Sequence, residues 1–313
     1  MSLQGKMAQR AVVFAYHDVG VRGLATLLAH GVDVALVVSH EDDPHENIWF
    51  ASVAELAALN HIPVITPADP NVDEVVRQLR SCRPDWLFSF YYRHMLAAEV
   101  LNVAAKGAYN LHGSLLPKYR GRVPVNWAVL HGEETTGASL HRMVEKPDAG
   151  HLIDQQAVPI LPNDTAYEVF KKVVCAAETV LHRSLPAILS GKAQERPLDL
   201  TQGSYFSGRR PEDGRIDWSQ PAWALHNLIR AVAPPYPGAF TEVGSKRLQF
   251  MRSYWRNEPA RGKGVRLYWE NGRCYLDAVD GRRLQITQLE LNGKRLDEKA
   301  FAEEFAGTEI GFA

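Results

Sequence analysis

Ala11-Val-Val-Phe-Ala-Tyr16, the amphipathic stretch Val21–His30 and Val34-Ala-Leu-Val-Val-Ser39 together decide the fold. Two short apolar runs joined by a segment of helix length read as strand, helix, strand. Their spacing fits a right-handed crossover between parallel strands. The pattern repeats outward. Ile62–Thr66 and Asp85–Phe90 read as strands, with Ile48–Leu59 and Val72–Arg80 as the helices between them. Gly107-Ala-Tyr-Asn-Leu-His-Gly113 reads as a fifth strand running into a glycine. The first half is therefore expected to be α/β, a doubly wound, Rossmann-like, mostly parallel sheet.

A loop over Ser114–Arg122 follows, then a helix across Val125–His131 and strands at Ser139–Val144 and Gln155–Ile160. Thr165–Leu189 reads as a long helix: Thr165 and Glu168 form a capping-box pair, and Val169, Val173, Ala177, Val180, Leu181 and Ile188 recur at helical spacing. Pro186 is expected to end or kink it. Residues 192–220 turn polar and rich in Gly, Pro and Arg, which predicts a linker between an amino-terminal domain over 7–191 and a carboxy-terminal one over 221–313. That second domain opens with a helix at Ala222–Val232. Short strands follow at Phe240–Val243, Arg247–Met251, Val265–Trp269, Cys274–Ala278 and Leu284–Leu289, then a helix at Asp297–Phe305. Glycine turns at this spacing predict a small β-barrel. Residues 1–6, ahead of Met7, read as an appended leader.

Composition narrows the function. The 313 residues carry 35 Lys plus Arg against 36 Asp plus Glu, so no bulk positive field draws the chain to nucleic acid or an anionic membrane. Cys82, Cys175 and Cys274 are far apart and read as buried free thiols in a reducing cytoplasm, with no disulfide framework and no metal site. No apolar run approaches the roughly 20 residues that span a bilayer. Gly20 and Gly23 do not make the Gly-x-Gly-x-x-Gly turn of dinucleotide enzymes.

Asn110 and His112 stand two apart at the end of the fifth strand, so their side chains share one face. Ligands in open α/β sheets bind beyond the carboxyl ends of the strands, which is where this pair falls. Taken singly, a strand-end Asn is a turn cap and a His a satisfied core residue. Asp148, in Lys146-Pro-Asp-Ala-Gly150, reads as a turn residue.

A longer pattern changes that reading. Asn110-Leu-His-Gly-Ser-Leu-Leu-Pro-Lys-Tyr-Arg-Gly121, then Pro124, Asn126-Trp127, and Thr136-Gly137 through Asp148-Ala-Gly150 resembles the signature of formyltransferases that use 10-formyltetrahydrofolate. Arg230-Ala-Val-Ala-Pro-Pro-Tyr-Pro-Gly-Ala-Phe240 resembles the motif ahead of that family's carboxy-terminal, OB-like barrel. The resemblance implies that Asn110, His112 and Asp148 are catalytic. It also implies that the folate lies against His94, Met95, Leu96, Arg122, Val144, Glu145, Lys146 and Pro147, and that Ser114 fixes the loop or touches the acceptor. Formyl transfer requires an oxyanion donor, a proton carrier and an orienting carboxylate. Asn110, His112 and Asp148 are the residue types for those jobs in that order.

Phe14-Ala-Tyr-His-Asp18, Phe88-Ser-Phe-Tyr-Tyr-Arg-His94, Leu140-His-Arg-Met143 and Gly208-Arg-Arg-Pro211 resemble the subgroup acting on UDP-4-amino-4-deoxy-L-arabinose. That subgroup implies lipid A modification, polymyxin resistance and a separate decarboxylase partner. The other acceptors in view are methionyl-tRNA and other dTDP- or UDP-linked amino sugars. His40-Glu-Asp-Asp-Pro-His-Glu46 is acidic where a tRNA enzyme carries a basic loop, which favours a nucleotide sugar. Arg209 and Arg210 are the expected partners of its diphosphate.

Overall fold

The computed structural model describes residues 9–312; the leader at 1–6 lies outside them. The chain divides into two compact units, interleaved in sequence. The first takes the residues up to Pro124, Thr136–Val158 and Lys171–Phe206; the second takes Val125–Thr135, Pro159–Phe170 and the chain from Ser207 onward.

The first unit opens with β1 (Arg10–Ala15), α1 (His17–Ala29), β2 (Asp33–Val38), α2 (Val53–Leu59), β3 (Val64–Ile65), α3 (Asp73–Ser81) and β4 (Trp86–Phe90). It continues through α4 (Ala98–Leu101), β5 (Gly107–His112) and the two-residue β6 (Arg120–Gly121). α5 (Pro124–Leu130), which falls in the second unit but for Pro124, precedes β7 (Thr135–Arg142) and β8 (Leu152–Pro159), and α6 (Ala166–Leu189), whose first turn belongs to the second unit, leads to β9 (Tyr205–Phe206). The main sheet runs β3-β2-β1-β4-β5-β7-β8. β1 pairs in parallel with both β2 and β4, and β4 with β5, whereas β7 meets β5 antiparallel. Strand order thus reverses between β1 and β4, the switch point at which a doubly wound sheet opens a crevice. All five residues of β4 are buried, as expected of a strand covered on both faces.

α1 begins at His17 rather than Val21, because Gly20 is a packing residue and not a breaker. A Cβ there would press on Val53 and Ala15. Thr165 and Glu168 form the expected reciprocal cap at the start of α6: Thr165 N–H donates to Glu168 Oε2 at 2.8 Å and Glu168 N–H to Thr165 Oγ1 at 3.3 Å. α6 continues through Pro186 to Leu189 instead of ending there.

The second unit holds α7 (Ala222–Ala231), β10 (Ala239–Val243), β11 (Lys246–Pro259), β12 (Val265–Glu270), β13 (Arg273–Asp277), β14 (Arg282–Leu291), β15 (Lys294–Arg295), α8 (Glu298–Phe305) and β16 (Glu309–Phe312). Its strands run β10-β11-β14-β13-β12-β16, a curled antiparallel half-barrel around Leu248, Phe250, Leu267, Leu276, Leu284 and Phe301. β11 is more than twice the length read from sequence. Register shifts at Phe250/Arg252, Arg252/Ser253 and Tyr254/Glu258 bend it as it pairs with β14.

One expectation about the thiols is corrected: Cys274 is buried, but Cys82 is half-buried and Cys175 exposed on α6. Among the described residues no helix is long and apolar enough to cross a membrane.

Candidate functional site

The site is built on the carboxyl end of β5. His112 is 7% exposed, and its Nε2 lies 2.7 Å from the Tyr119 carbonyl oxygen. A carbonyl only accepts, so Nε2 carries the ring hydrogen. Nδ1 is then the nitrogen at which a proton can be taken up, and it faces Asp148 Oδ1 at 3.5 Å.

Asp148 is held in the left-handed region at φ +48°. Its other oxygen accepts the Gly121 N–H at 2.8 Å. Burial works against its ionisation. The His112 and His141 rings and the Gly121 N–H outweigh that cost and hold the carboxyl well below the usual carboxylate range. An ionised Asp148 places a fixed negative charge beside the His112 ring.

Asn110 reaches His141, a residue of the Leu140–Met143 stretch. β5 and β7 are antiparallel and place Asn110 directly opposite His141. Asn110 Nδ2 and His141 Nε2 are 3.1 Å apart, while His141 Nδ1 donates to the Arg142 carbonyl at 2.8 Å. With the ring hydrogen on Nδ1, Nε2 accepts one hydrogen of the Asn110 amide. His141 Nε2 also stands 3.5 Å from Asp148 Oδ1.

Ser114 is fully buried, and its hydroxyl donates to the Lys118 carbonyl at 2.6 Å, which fixes the loop. Ser139, opposite His112 across the same strand pair, donates to the Ser114 carbonyl and accepts the Leu116 N–H.

Asn110, His112 and Asp148 are therefore brought together. Among the expected folate contacts, Leu96 is built into the core beside Val12, Phe14 and Met143. His94, Met95, Arg122, Val144, Glu145 and Lys146 are exposed, and Pro147 is half-buried. Asn71 brackets the 95–97 backbone, donating to the Met95 carbonyl at 3.0 Å and accepting the Ala97 N–H at 2.7 Å.

The acidic loop at 40–46 is tied down by its own charges. Asp42 accepts from the Tyr16 hydroxyl at 2.6 Å, and Glu46 takes a bidentate pair from Arg93 at 2.6 and 2.7 Å. All four of its carboxylates accept hydrogen bonds, Glu41 from the Thr66 hydroxyl and Asp43 from the His45 N–H, but among the described residues only Glu46 is paired with a cation, so one of the four charges is offset. His40 closes the loop by accepting the Arg93 N–H at 3.0 Å. Burial, with His94 and Arg93 beside it, pushes its pKa down to about 4.

Arg209 and Arg210 belong to the second unit. The Arg209 guanidinium lies 4.8 Å from the centre of the Trp127 ring and donates to the Asp213 carbonyl at 2.8 Å. Burial lowers its pKa. The Arg210 side chain is exposed, and its N–H donates to Asp213 Oδ2 at 2.6 Å.

An imidazole, a fixed carboxylate beside it and a neighbouring amide N–H are groups suited to general acid–base chemistry next to a developing negative charge. The sequence matches the family described as "Formyl transferase" over residues 23–185 and "Formyl transferase, C-terminal domain" over 209–306. The chain belongs to the formyl transferase family.

Solved structures share its fold. The N-formyltransferase from Helicobacter canadensis, in complex with folinic acid and dTDP-3-aminofucose, is 22% identical with a TM-score of 0.70 over 90% of this chain and 99% of that one. WlaRD, a sugar 3N-formyl transferase solved in the presence of dTDP and 5-N-formyl-THF, is 21% identical with a TM-score of 0.71 over 93% and 100%. HypX from Aquifex aeolicus, in complex with tetrahydrofolic acid, is 17% identical with a TM-score of 0.65, over 95% of this chain and 47% of that one.

Proposed function

We propose that this formyltransferase moves the formyl group of 10-formyltetrahydrofolate to the amine of a nucleotide-linked amino sugar, UDP-4-amino-4-deoxy-L-arabinose. The observation that carries the chemistry is the fixed tautomer of His112, with Nδ1 facing an ionised Asp148. The acceptor amine attacks the formyl carbon to form the new C–N bond and a tetrahedral oxyanion, whose collapse breaks the bond to the folate N10. His112 Nδ1 takes the proton that the amine sheds and returns it to N10, so the products are the formamide and tetrahydrofolate. Asn110 donates its second amide hydrogen to the oxyanion between these steps, a contribution of roughly 3 kcal/mol in comparable sites. The exposed 94–95 and 144–146 segments suit a flat donor ring, with Leu96, Pro147 and Arg122 beside them. Arg209 and Arg210 are assigned to the diphosphate.

The acceptor rests on the four subgroup motifs, among them Leu140-His-Arg-Met143, whose His141 now has a place beside Asn110. A second reading, a dTDP-linked 3-amino sugar, is favoured by the two sugar formyltransferases of like fold. The deciding experiment supplies 10-formyltetrahydrofolate with UDP-4-amino-4-deoxy-L-arabinose, a dTDP-linked 3-amino sugar or methionyl-tRNA and follows tetrahydrofolate release. Turnover with the UDP sugar alone is expected. Turnover confined to the dTDP sugar replaces the acceptor, and turnover confined to methionyl-tRNA defeats the amino-sugar reading altogether.

A further inference from the structure

The segment 203–206, read from sequence as linker, lies along the loop that positions His112 and Asp148. Tyr119 N–H donates to Ser204 Oγ at 2.9 Å, Arg120 N–H to the Ser204 carbonyl at 3.0 Å, and Arg122 N–H to the Phe206 carbonyl at 2.9 Å. β6 and β9 pair in parallel, Arg120 with Tyr205 and Gly121 with Phe206. The Tyr119 and Phe206 rings stack at 5.4 Å and 18°.

Alternation along an extended backbone then allocates the loop's polar groups. The N–H groups of 120 and 122 turn toward 203–206, so that of 121 turns the other way, and that is the hydrogen Asp148 Oδ2 accepts. The peptide unit joining Tyr119 to Arg120 is held at both ends. Its N–H donates to the Ser204 carbonyl, and its C=O accepts the His112 Nε2–H.

The loop needs this support. Tyr119 stands at φ +57° and Val123 at φ +47°, conformations that cost a side chain of order 1–3 kcal/mol each and persist only where neighbours enforce them. The fit is close: a Cβ at Gly121 would overlap the Phe206 carbonyl, and one at Gly203 the Pro117 carbonyl.

We propose that 203–206 is a positioning strap for the reaction, with Ser204 and Phe206 as positioning residues that hold His112 in the Nε2–H tautomer and keep Gly121 on Asp148. This rests on the reading of His112 and Asp148 as the reacting pair. Neither strap residue is assigned a contact with either substrate. Their effect passes through the 119–121 backbone, so it falls on turnover and not on binding.

The test compares Ser204→Ala, Phe206→Ala, the double variant, Ser204→Thr and, as a reference, His112→Ala, each checked for folding by its thermal midpoint. The double variant is expected to lose 10- to 100-fold in kcat with KM for donor and acceptor within threefold of wild type. Ser204→Thr, which keeps the hydroxyl, retains kcat within threefold. Long-range ¹⁵N–¹H spectra of His-labelled protein supply a readout that loose packing alone would not move: His112 shows the Nε2–H pattern in wild type and a tautomer mixture in the double variant. If the double variant fails to fold, Ser204→Ala alone carries the same two readouts. Unchanged kcat and an unchanged tautomer, with His112→Ala inactive, overturn the strap and leave the reacting pair standing. A rise in KM at constant kcat also overturns it. Full turnover in His112→Ala removes the reading on which the strap depends.

Discussion

His112 and His226 are buried histidines, one in each unit, and both donate Nε2–H to a main-chain carbonyl, Tyr119 at 2.7 Å and Pro162 at 2.9 Å. They part at the other ring nitrogen. His226 Nδ1 accepts the Ser253 hydroxyl at 2.7 Å, so its lone pair is already in use. His112 Nδ1 faces the Asp148 carboxylate at 3.5 Å instead of a hydroxyl. Beside His226 the buried Arg230 follows the same saturating logic. Its Nε donates to Asn227 Oδ1 at 2.8 Å, NH1 to the Leu161 and Asp164 carbonyls at 3.3 and 3.1 Å, and its face covers Trp223. A buried polar centre with every valence satisfied holds a fold together. One that leaves a basic nitrogen opposite an anion can exchange a proton.

The comparison breaks first at the reacting pair. His112→Ala and Asp148→Asn are each expected to lower kcat by about 10³-fold while the thermal midpoint stays within a few degrees, measured with saturating formyl donor. Turnover near wild type in both would leave the two histidines alike. The converse holds for the second unit. Arg230→Met strips donors from the Leu161 and Asp164 carbonyls and is expected to cost about 4 kcal/mol in urea unfolding, with kcat per folded molecule within twofold. A loss under about 1 kcal/mol would remove the structural role.

The pH dependence sharpens the contrast. Burial, with Arg230 adding to it and the Pro162 carbonyl opposing, pushes His226 from 6.5 down to about 4. A depressed folded value means that the unfolded chain binds the proton first. The resulting stability is complete above pH 6.5 and drains away as pH falls toward 4, about 3 kcal/mol in all. His226→Gln, which does not titrate, is expected to flatten the stability curve across that window. A slope equal to wild type would contradict it. The smallest effect belongs to Arg93→Met. The exposed pair with Glu46 is worth about 1 kcal/mol or less, so unfolding free energy is expected to move by no more than that, and a larger change would mean the 40–46 loop carries more of the fold than its contacts suggest.

How far the sequence carries follows the range of the contacts. The strands of the main sheet and the shared face of Asn110 and His112 depend on periods of two to four residues, and they were legible. His141 was not, because its place opposite Asn110 depends on an antiparallel register between strands separated by the whole 113–134 segment. The strap was hidden for a similar reason. Gly203-Ser-Tyr-Phe206 has the composition of a linker, and its structure comes from a partner near residue 120. Charge was legible only locally: the acidic loop stands out in the sequence, while Arg93, which neutralises part of it, arrives from the end of β4. The half-barrel was recognisable from its glycine turns, but β11 was cut short because its bulges interrupt the alternation that marks a strand.

The pairing of residues 120–121 with 205–206 also sets an order of assembly. A ribosome that has released the first 150 residues has made Asn110, His112, His141 and Asp148, yet the backbone that orients them is still without its partner. If the strap acts as proposed, full turnover waits until Phe206 has left the exit tunnel, when an 85-residue closure brings residues 205–206 to residues 120–121.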